Sequence, residues 1–251
     1  MKTNILGVGI DNLELGQVLN QIEEWINGDN QHLIATVNSE FILEAQKNKE
    51  FKDVLNGASL ATCDGSGPMW ASKFLHGQKL ARVTGVDLTE ALLSPPFQGG
   101  VRGGLPGLKI YLLGGAEGVA QGVKDKYPEA QIVGAEDGGK LKSGEWVLEE
   151  NNKVIENINN SGANLLLVAF GQVRQEMWID KNLPLMPGVK VAIGIGGTFD
   201  FLSGQIKRAP KWMRSLGLEW LFRLIKQPSR IGRIWNAVIV FGWKVLREKM
   251  R

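Results

Sequence analysis

The chain has 251 residues, 43% hydrophobic and 22% charged, the composition of a globular protein with one or two domains. One cysteine excludes a disulfide scaffold and a Cys-rich metal site, and the most apolar run, Ala237 to Trp243, is far shorter than the ~20 residues of a spanning helix. The formal charge of +3 conceals an acidic body and a basic tail, because Gln205 to Arg251 carry 12 Lys/Arg against 2 Asp/Glu.

Along the chain, short apolar runs alternate with segments of helical period. Asn4 to Ile10 reads as a strand, and Asp11 with Glu14 reads as a capping-box start for a helix whose inner face runs from Leu13 to Ile26. His32 to Val37 is a predicted strand and Ser39 to Asn48 a helix. Ser59 to Cys63 is a strand that runs into Asp64-Gly65-Ser66-Gly67 and a further helix. Strands follow at Lys109 to Leu113, Ala130 to Gly134, Asn164 to Phe170 and Val189 to Ile195, with helices from about Glu117, at Glu145 to Asn160 and at Arg174 to Leu183. Such alternation predicts an α/β fold, a Rossmann-like, mostly parallel sheet with helices on both faces. Ser94 to Gly107, with five glycines and three prolines, reads as a loop. A boundary near residue 204 separates this core (1–204) from a helical appendage (205–251) holding four of the eight tryptophans.

Ligands of open α/β sheets bind at the carboxyl ends of the strands. Each predicted strand there gives way to polar residues or glycine: Asn38, Asp64-Gly65, Gly114-Gly115, Gly171-Gln172 and Gly196-Gly197 with Asp200. Backbone N–H groups at such turns can cradle a diphosphate, so a nucleotide ligand is expected. Asp64 follows an apolar run and precedes glycines, which fits either a general base at the sheet mouth or the N-cap of the next helix; Asp87 and Asp200 are open to both readings. Cys63 reads as a buried small residue, and neither histidine stands at metal-ligand spacing.

In the tail, Glu219, Arg223, Lys226, Arg230 and Arg233 recur every three or four residues. Pro228 predicts a break into two helices. Their opposite faces are apolar and rich in tryptophan, the pattern of helices lying on an anionic membrane surface. No nucleic-acid recognition motif accompanies the charge. The amino terminus lacks a signal peptide's apolar run, so a cytoplasmic protein peripheral to the inner membrane face is expected. Apolar tail faces also leave a homo-oligomer open.

The segments TVNSEF (36–41), DGSG (64–67), RVTGVDL (82–88), YLLGGAEGVA (111–120), AFGQVRQEMWI (169–179) and the long run 193–233 with GGTFDF, KRAP and GLEWLFR resemble the WecG/TagA/CpsF glycosyltransferases, glycosyltransferase family 26. The resemblance implies an inverting transferase that needs no metal or other cofactor. Its donor would be a UDP-sugar, N-acetylmannosamine in the best-known members, and its acceptor a polyprenol diphosphate carrying a sugar. It places the base on Asp64, with Thr36 and Asn38 in the same catalytic pocket. It also implies a uridine contact at Asp200, sugar contacts at Gln175 and Glu176, and diphosphate contacts among Arg214, Arg223 and Arg230; further substrate contacts are expected at Arg82 and at the strand-end glycines Gly65, Gly114, Gly115, Gly196 and Gly197. The chain departs from the family pattern at Val173-Arg174, where Pro-Lys is usual, and at Gly138-Gly139-Lys140, where Gly-Tyr-Phe is usual. A nucleotide-sugar-binding regulator or scaffold without catalysis is the alternative.

Overall fold

The computed structural model describes residues 2–94, 105–137, 141–142, 145–146, 148–226, 228 and 231–250, and at 141, 142, 145, 146, 148, 149, 215 and 223 the backbone alone. Most of the glycine-rich stretch after Ser94, the Gly138-Gly139-Lys140 departure and Arg230 lie outside the described residues.

The chain opens on a separate hairpin, β1 (Thr3–Ile5) paired antiparallel with β2 (Val8–Ile10). One continuous strand was expected over Asn4 to Ile10; instead, positive φ at Leu6 (50°) and Gly7 (81°) makes a two-residue turn that reverses it. Then come α1 (Leu15–Ile26), β3 (His32–Val37), α2 (Ser39–Ala45), α3 (Lys49–Gly57), β4 (Leu60–Cys63), α4 (Ser66–His76) and α5 (Gly85–Leu93). The helix cap at α1 is Glu14, bonded reciprocally with Gln17. Asp11 instead accepts from the Ala61 N–H (2.9 Å), tying the hairpin to β4.

The second half runs β5 (Ile110–Gly114), α6 (Val119–Lys126), β6 (Ile132–Glu136), the small hairpin β7 (Leu141–Lys142) and β8 (Glu145–Trp146), α7 (Leu148–Ser161), β9 (Leu165–Ala169), α8 (Arg174–Asn182), β10 (Val191–Gly194) and α9 (Thr198–Leu202). Helices α10 (Lys211–Ser215), α11 (Glu219–Lys226), α12 (Ile231–Trp235) and α13 (Phe241–Lys249) end it, the last two joined by a π-helical turn over Asn236–Val240.

Six strands form one parallel sheet in the order β4-β3-β10-β9-β5-β6. Strand side chains alternate between the faces, and both faces are apolar, as a sheet covered on both sides requires. On one side Leu166, Val168 and Ala192 pack with α2, α3, α7 and α8. On the other Leu165, Leu167, Val191 and Ile193 pack with α1, α5, α6 and α9. The last strand, β10, inserts between β3 and β9, and this places the ends of β3, β4, β9 and β5 around its own.

Glu219 and Lys226 lie on α11 and Arg233 on α12, two separate helices, and α10 adds a short helix that was not expected ahead of them. Phe241 and Val245 of α13 are fully buried in the core face formed by α2 and its neighbours. Burial of a phenylalanine ring alone is worth about 1.5–3 kcal/mol, which seats α13 firmly on the core. Among the described residues no helix is long and apolar enough to cross a membrane.

Candidate active site

A cleft of about 1380 Å³ opens at the carboxyl ends of the strands and is walled on its far side by the tail helices. It is lined by Thr36, Asn38, Asp64, Gly65, Arg82, Gly115, Gln175, Gly196, Gly197 and Asp200 among the expected site residues. Residues distant in sequence meet here because β4, β3 and β10 are neighbours in the sheet.

Asp64 follows β4 directly, and its N–H donates to the Val37 carbonyl (2.8 Å), continuing the pairing with β3 for one more residue. The N-cap of α4 is Gly65, at φ 102°, with no side-chain cap bond. Asp64 is therefore not the cap of the helix that follows it, and its partly exposed carboxylate stands in the cleft wall, where Oδ2 accepts from the N–H of Gly85, the first residue of α5 (3.5 Å). Beneath it, Cys63 is buried, and burial with the charge of Asp64 pushes its thiol up to about 12. A thiol so protonated is no nucleophile.

Thr36 and Asn38 hold the frame. The Thr36 hydroxyl donates to the Gly194 carbonyl (2.9 Å), and Asn38 Oδ1 caps α2 by accepting from the Glu40 and Phe41 N–H groups (2.9 and 3.1 Å). These bonds fix both side chains in the cleft wall, with the Asn38 amide oxygen committed to the α2 N-terminus and the Thr36 hydroxyl proton to β10.

Three expected contacts stand behind the wall instead of on it. Gly114 underlies it: at φ 101°, its missing Cβ would lie 2.9 Å from the Ala169 carbonyl group, so the glycine is required for β5 to approach β9. Glu176 is fully buried. Its Oε2 accepts from the Val173 N–H (2.9 Å), its Oε1 from Gln175 Nε2 (2.6 Å), and Gln175 Oε1 accepts from the Gly196 N–H (2.9 Å). Burial outweighs these hydrogen bonds and pushes the Glu176 carboxyl up to about 7. The relay runs from a backbone held at φ 72° at Val173 to the Gly196 turn, and Gly194 leaves room for it, since a Cβ there would strike Glu176. A proline, locked near φ −65°, could not occupy position 173 in this geometry. The third is Arg214, whose guanidinium points to Asp87 (3.8 Å) while its carbonyl accepts from Arg82 (2.9 Å).

Asp87 is likewise no cap. Thr84 caps α5, and Asp87 sits in the first turn, accepting from the Thr84 hydroxyl (2.7 Å) and pairing with Arg208 (2.7 Å). Burial alone would raise this carboxyl, but hydrogen bonds from Arg208 and Thr84 and the charges of Arg208 and Arg82 hold it below its usual range. Arg208 also faces Glu219 (3.6 Å) at the start of α11. The KRAP motif thus serves as the joint between α5 and the tail. A second joint is Arg233, which donates twice to Glu40 Oε2 (3.0 and 2.8 Å), an oxygen that also accepts from Gln172.

The side chain of Arg223 and all of Arg230 lie outside the described residues. The cations that do line the cleft are Arg82, Arg174, Lys207, Lys226 and Arg233, of which Arg174, Lys207, Lys226 and Arg233 were not singled out as substrate contacts. Asp137 was missed as well. It directly follows β6 in the cleft wall and accepts from the Gly118 N–H (3.3 Å) at the start of α6. Its signal was legible: an acid about 20 residues after a glycine turn, at the end of the next strand, is where Rossmann-type sites meet a ribose. Asp200 stands in the first turn of α9 beside Gly197. Among the described residues no three His, Cys, Asp or Glu side chains gather as a metal site would require.

The cleft therefore brings together the Asp64 carboxylate, glycine turns at the sheet edge and cations from both the core and the tail. The chain's sequence matches the family model described as "Glycosyl transferase WecG/TagA/CpsF family" over residues 3–251, so the protein belongs to that family and is a glycosyltransferase of that type, in cell-surface polysaccharide synthesis.

Proposed function

We propose that the protein transfers a sugar, N-acetylmannosamine or a related hexose, from a UDP-sugar to a polyprenol-diphosphate-linked sugar at the inner face of the cytoplasmic membrane. The observation that carries this reading is the position of Asp64, a partly exposed carboxylate at the mouth of the sheet, lining the cleft and not serving as the N-cap of the helix that follows it. In one displacement the acceptor hydroxyl oxygen attacks the anomeric carbon, its proton passes to Asp64, and the bond to UDP breaks from the opposite side with inversion. The charge that develops on the departing diphosphate needs preorganised donors. The Gly197 turn, with Arg174 and Lys226, supplies candidates on the lining. No metal is required in this scheme, because side-chain cations and backbone dipoles carry the compensation.

The reading also gives the tail two tasks: its outer apolar and basic residues meet the anionic membrane, while its inner residues complete the cleft. Asp64→Asn keeps the shape and removes the base. Release of UDP from UDP-N-acetylmannosamine with a lipid-linked acceptor should fall at least about 100-fold, while UDP affinity in calorimetry stays within a few-fold. Unchanged turnover would remove Asp64 from the mechanism, and absence of transfer by the wild type with any UDP-sugar would favour a binding role without catalysis.

A further inference from the structure

The core carries its own exposed apolar surface at the cleft mouth, apart from the tail. Trp70 and Phe74 of α4 are 43% and 37% exposed and stack on each other, with ring centroids 5.3 Å apart and planes 12° from parallel. Two large rings one turn apart on a helix, left in water, forgo the burial that ordinarily places such residues inside. Trp70 borders the cleft together with Ile239, Trp243 and Leu246 of the tail, themselves exposed. The two groups hold a set relation, because Phe241 and Val245 bury α13 in the core and Lys249 donates to the Leu75 carbonyl at the end of α4 (3.0 Å).

The surrounding charge is one-sided. Helices α4 and α13 carry Lys73, Lys244, Arg247 and Lys249 against Glu248 alone, and Arg247 lies over the Trp243 ring at 5.5 Å. Exposed aromatic rings rimmed by lysine and arginine match a bilayer with anionic headgroups, where rings enter the interface and cations meet phosphates.

We infer that Trp70 and Phe74 form a second membrane contact, built into the catalytic core, which with α13 seats the cleft mouth on an anionic bilayer. This rests on the membrane reading above and extends it, because α4 starts two residues after Asp64. At 1.5 Å per residue, Trp70 lies about 6 Å and Phe74 about 12 Å along α4 from its first residue. With the rings in the headgroup region, Asp64 is held no more than about 15 Å from them, within the layer where a lipid-linked diphosphate sits. Helix α4 acts as a spacer between the bilayer and the base.

The test is flotation of the full chain with vesicles of phosphatidylcholine and phosphatidylglycerol, comparing wild type, Trp70→Ser/Phe74→Ser and Phe74→Glu. Both positions are exposed, and circular dichroism with thermal melting verifies folding. The double variant should partition about 10- to 30-fold more weakly, and Phe74→Glu at least about 5-fold more weakly on anionic vesicles. If the wild type binds and both variants bind equally well, the core contact is overturned while the tail reading stands. If the wild type does not float, the membrane reading itself fails. Vesicle binding intact with a dimer converted to monomer would make this face a subunit interface and also overturn the inference.

Discussion

Glu176 offers a quantitative test of the buried relay behind the Gly196 turn. Its carboxyl is fully buried, and burial raises it from 4.5 to about 7 although two N–H groups donate to it. In the unfolded chain the group ionises at its ordinary value, so between about pH 4.5 and about pH 7 the folded state binds a proton that the unfolded state does not. Stability is therefore highest below about pH 4.5, falls as pH rises to about 7 and is flat above. Each pH unit in that window costs about 1.4 kcal/mol, hence about 3 kcal/mol in all. Glu176→Gln does not titrate, and subtracting its stability from that of the wild type isolates this residue from every other carboxylate. In urea titrations followed by tryptophan fluorescence, the stability of Glu176→Gln relative to wild type should rise by about 3 kcal/mol from about pH 4.5 to about pH 8. The glutamine has a second cost. Val173 N–H and Gln175 N–H both need acceptors at position 176, and an amide offers only one oxygen, so the substitution turns one hydrogen bond into a donor–donor contact. Nucleotide affinity should weaken as Gln175 turns away from Gly196. A difference between the two proteins that stays constant within about 0.5 kcal/mol over that pH range would show that Glu176 carries the same charge folded and unfolded, and the relay as described would be wrong.

Arg208→Met should cost about 2–4 kcal/mol, because it strands the Asp87 carboxylate at 2.7 Å from a vanished cation; the double variant Arg208→Met/Asp87→Leu should recover at least half of the loss in the same urea assay, and no recovery would refute the pairing. Gly194→Ala should destabilise by about 2 kcal/mol or more and lower UDP affinity together, since its methyl group would displace Glu176; a stable variant with normal calorimetric UDP binding would show that the relay tolerates a shift.

Much of the sheet was legible, because parallel strands buried on both faces read as apolar runs ending in glycine or polar residues. The runs Lys109 to Leu113 and Asn164 to Phe170 became β5 and β9 within a residue or two at each end. The first run misled, because Leu6 and Gly7 look apolar or neutral in a pattern, whereas their positive φ reverses the chain. Helices α3 and α5 were not anticipated as separate elements; α3 begins at an Asn48 cap only three residues after α2 ends, too close for periodicity to divide. Among site residues, Asp64, Gly115, Gly196, Gly197 and Asp200 could be located from their place after a strand. The roles of Glu176, Arg214 and Arg208 could not, since a charged residue in a helix carries no mark of whether it faces solvent, substrate or an ion partner from another element. Arg208 meets an acid more than 100 positions earlier in the chain.

Most strands of the sheet, the glycine turns at their ends and a tail whose basic and apolar residues set it apart from an acidic body could be read from residue order. Those properties are local, written in the side-chain period of a strand or a helix and in what ends it. Three-dimensional packing was needed to show that β10 inserts between β3 and β9, that Gly65 rather than Asp64 is the N-cap of α4, and that the tail closes one side of the cleft through Arg208, Arg233 and Phe241. The physical reason is that periodicity specifies which face of an element is buried but not which neighbour buries it. Strand order and ion partners follow from the joint packing of all the elements, where each choice is settled by contacts far apart in sequence.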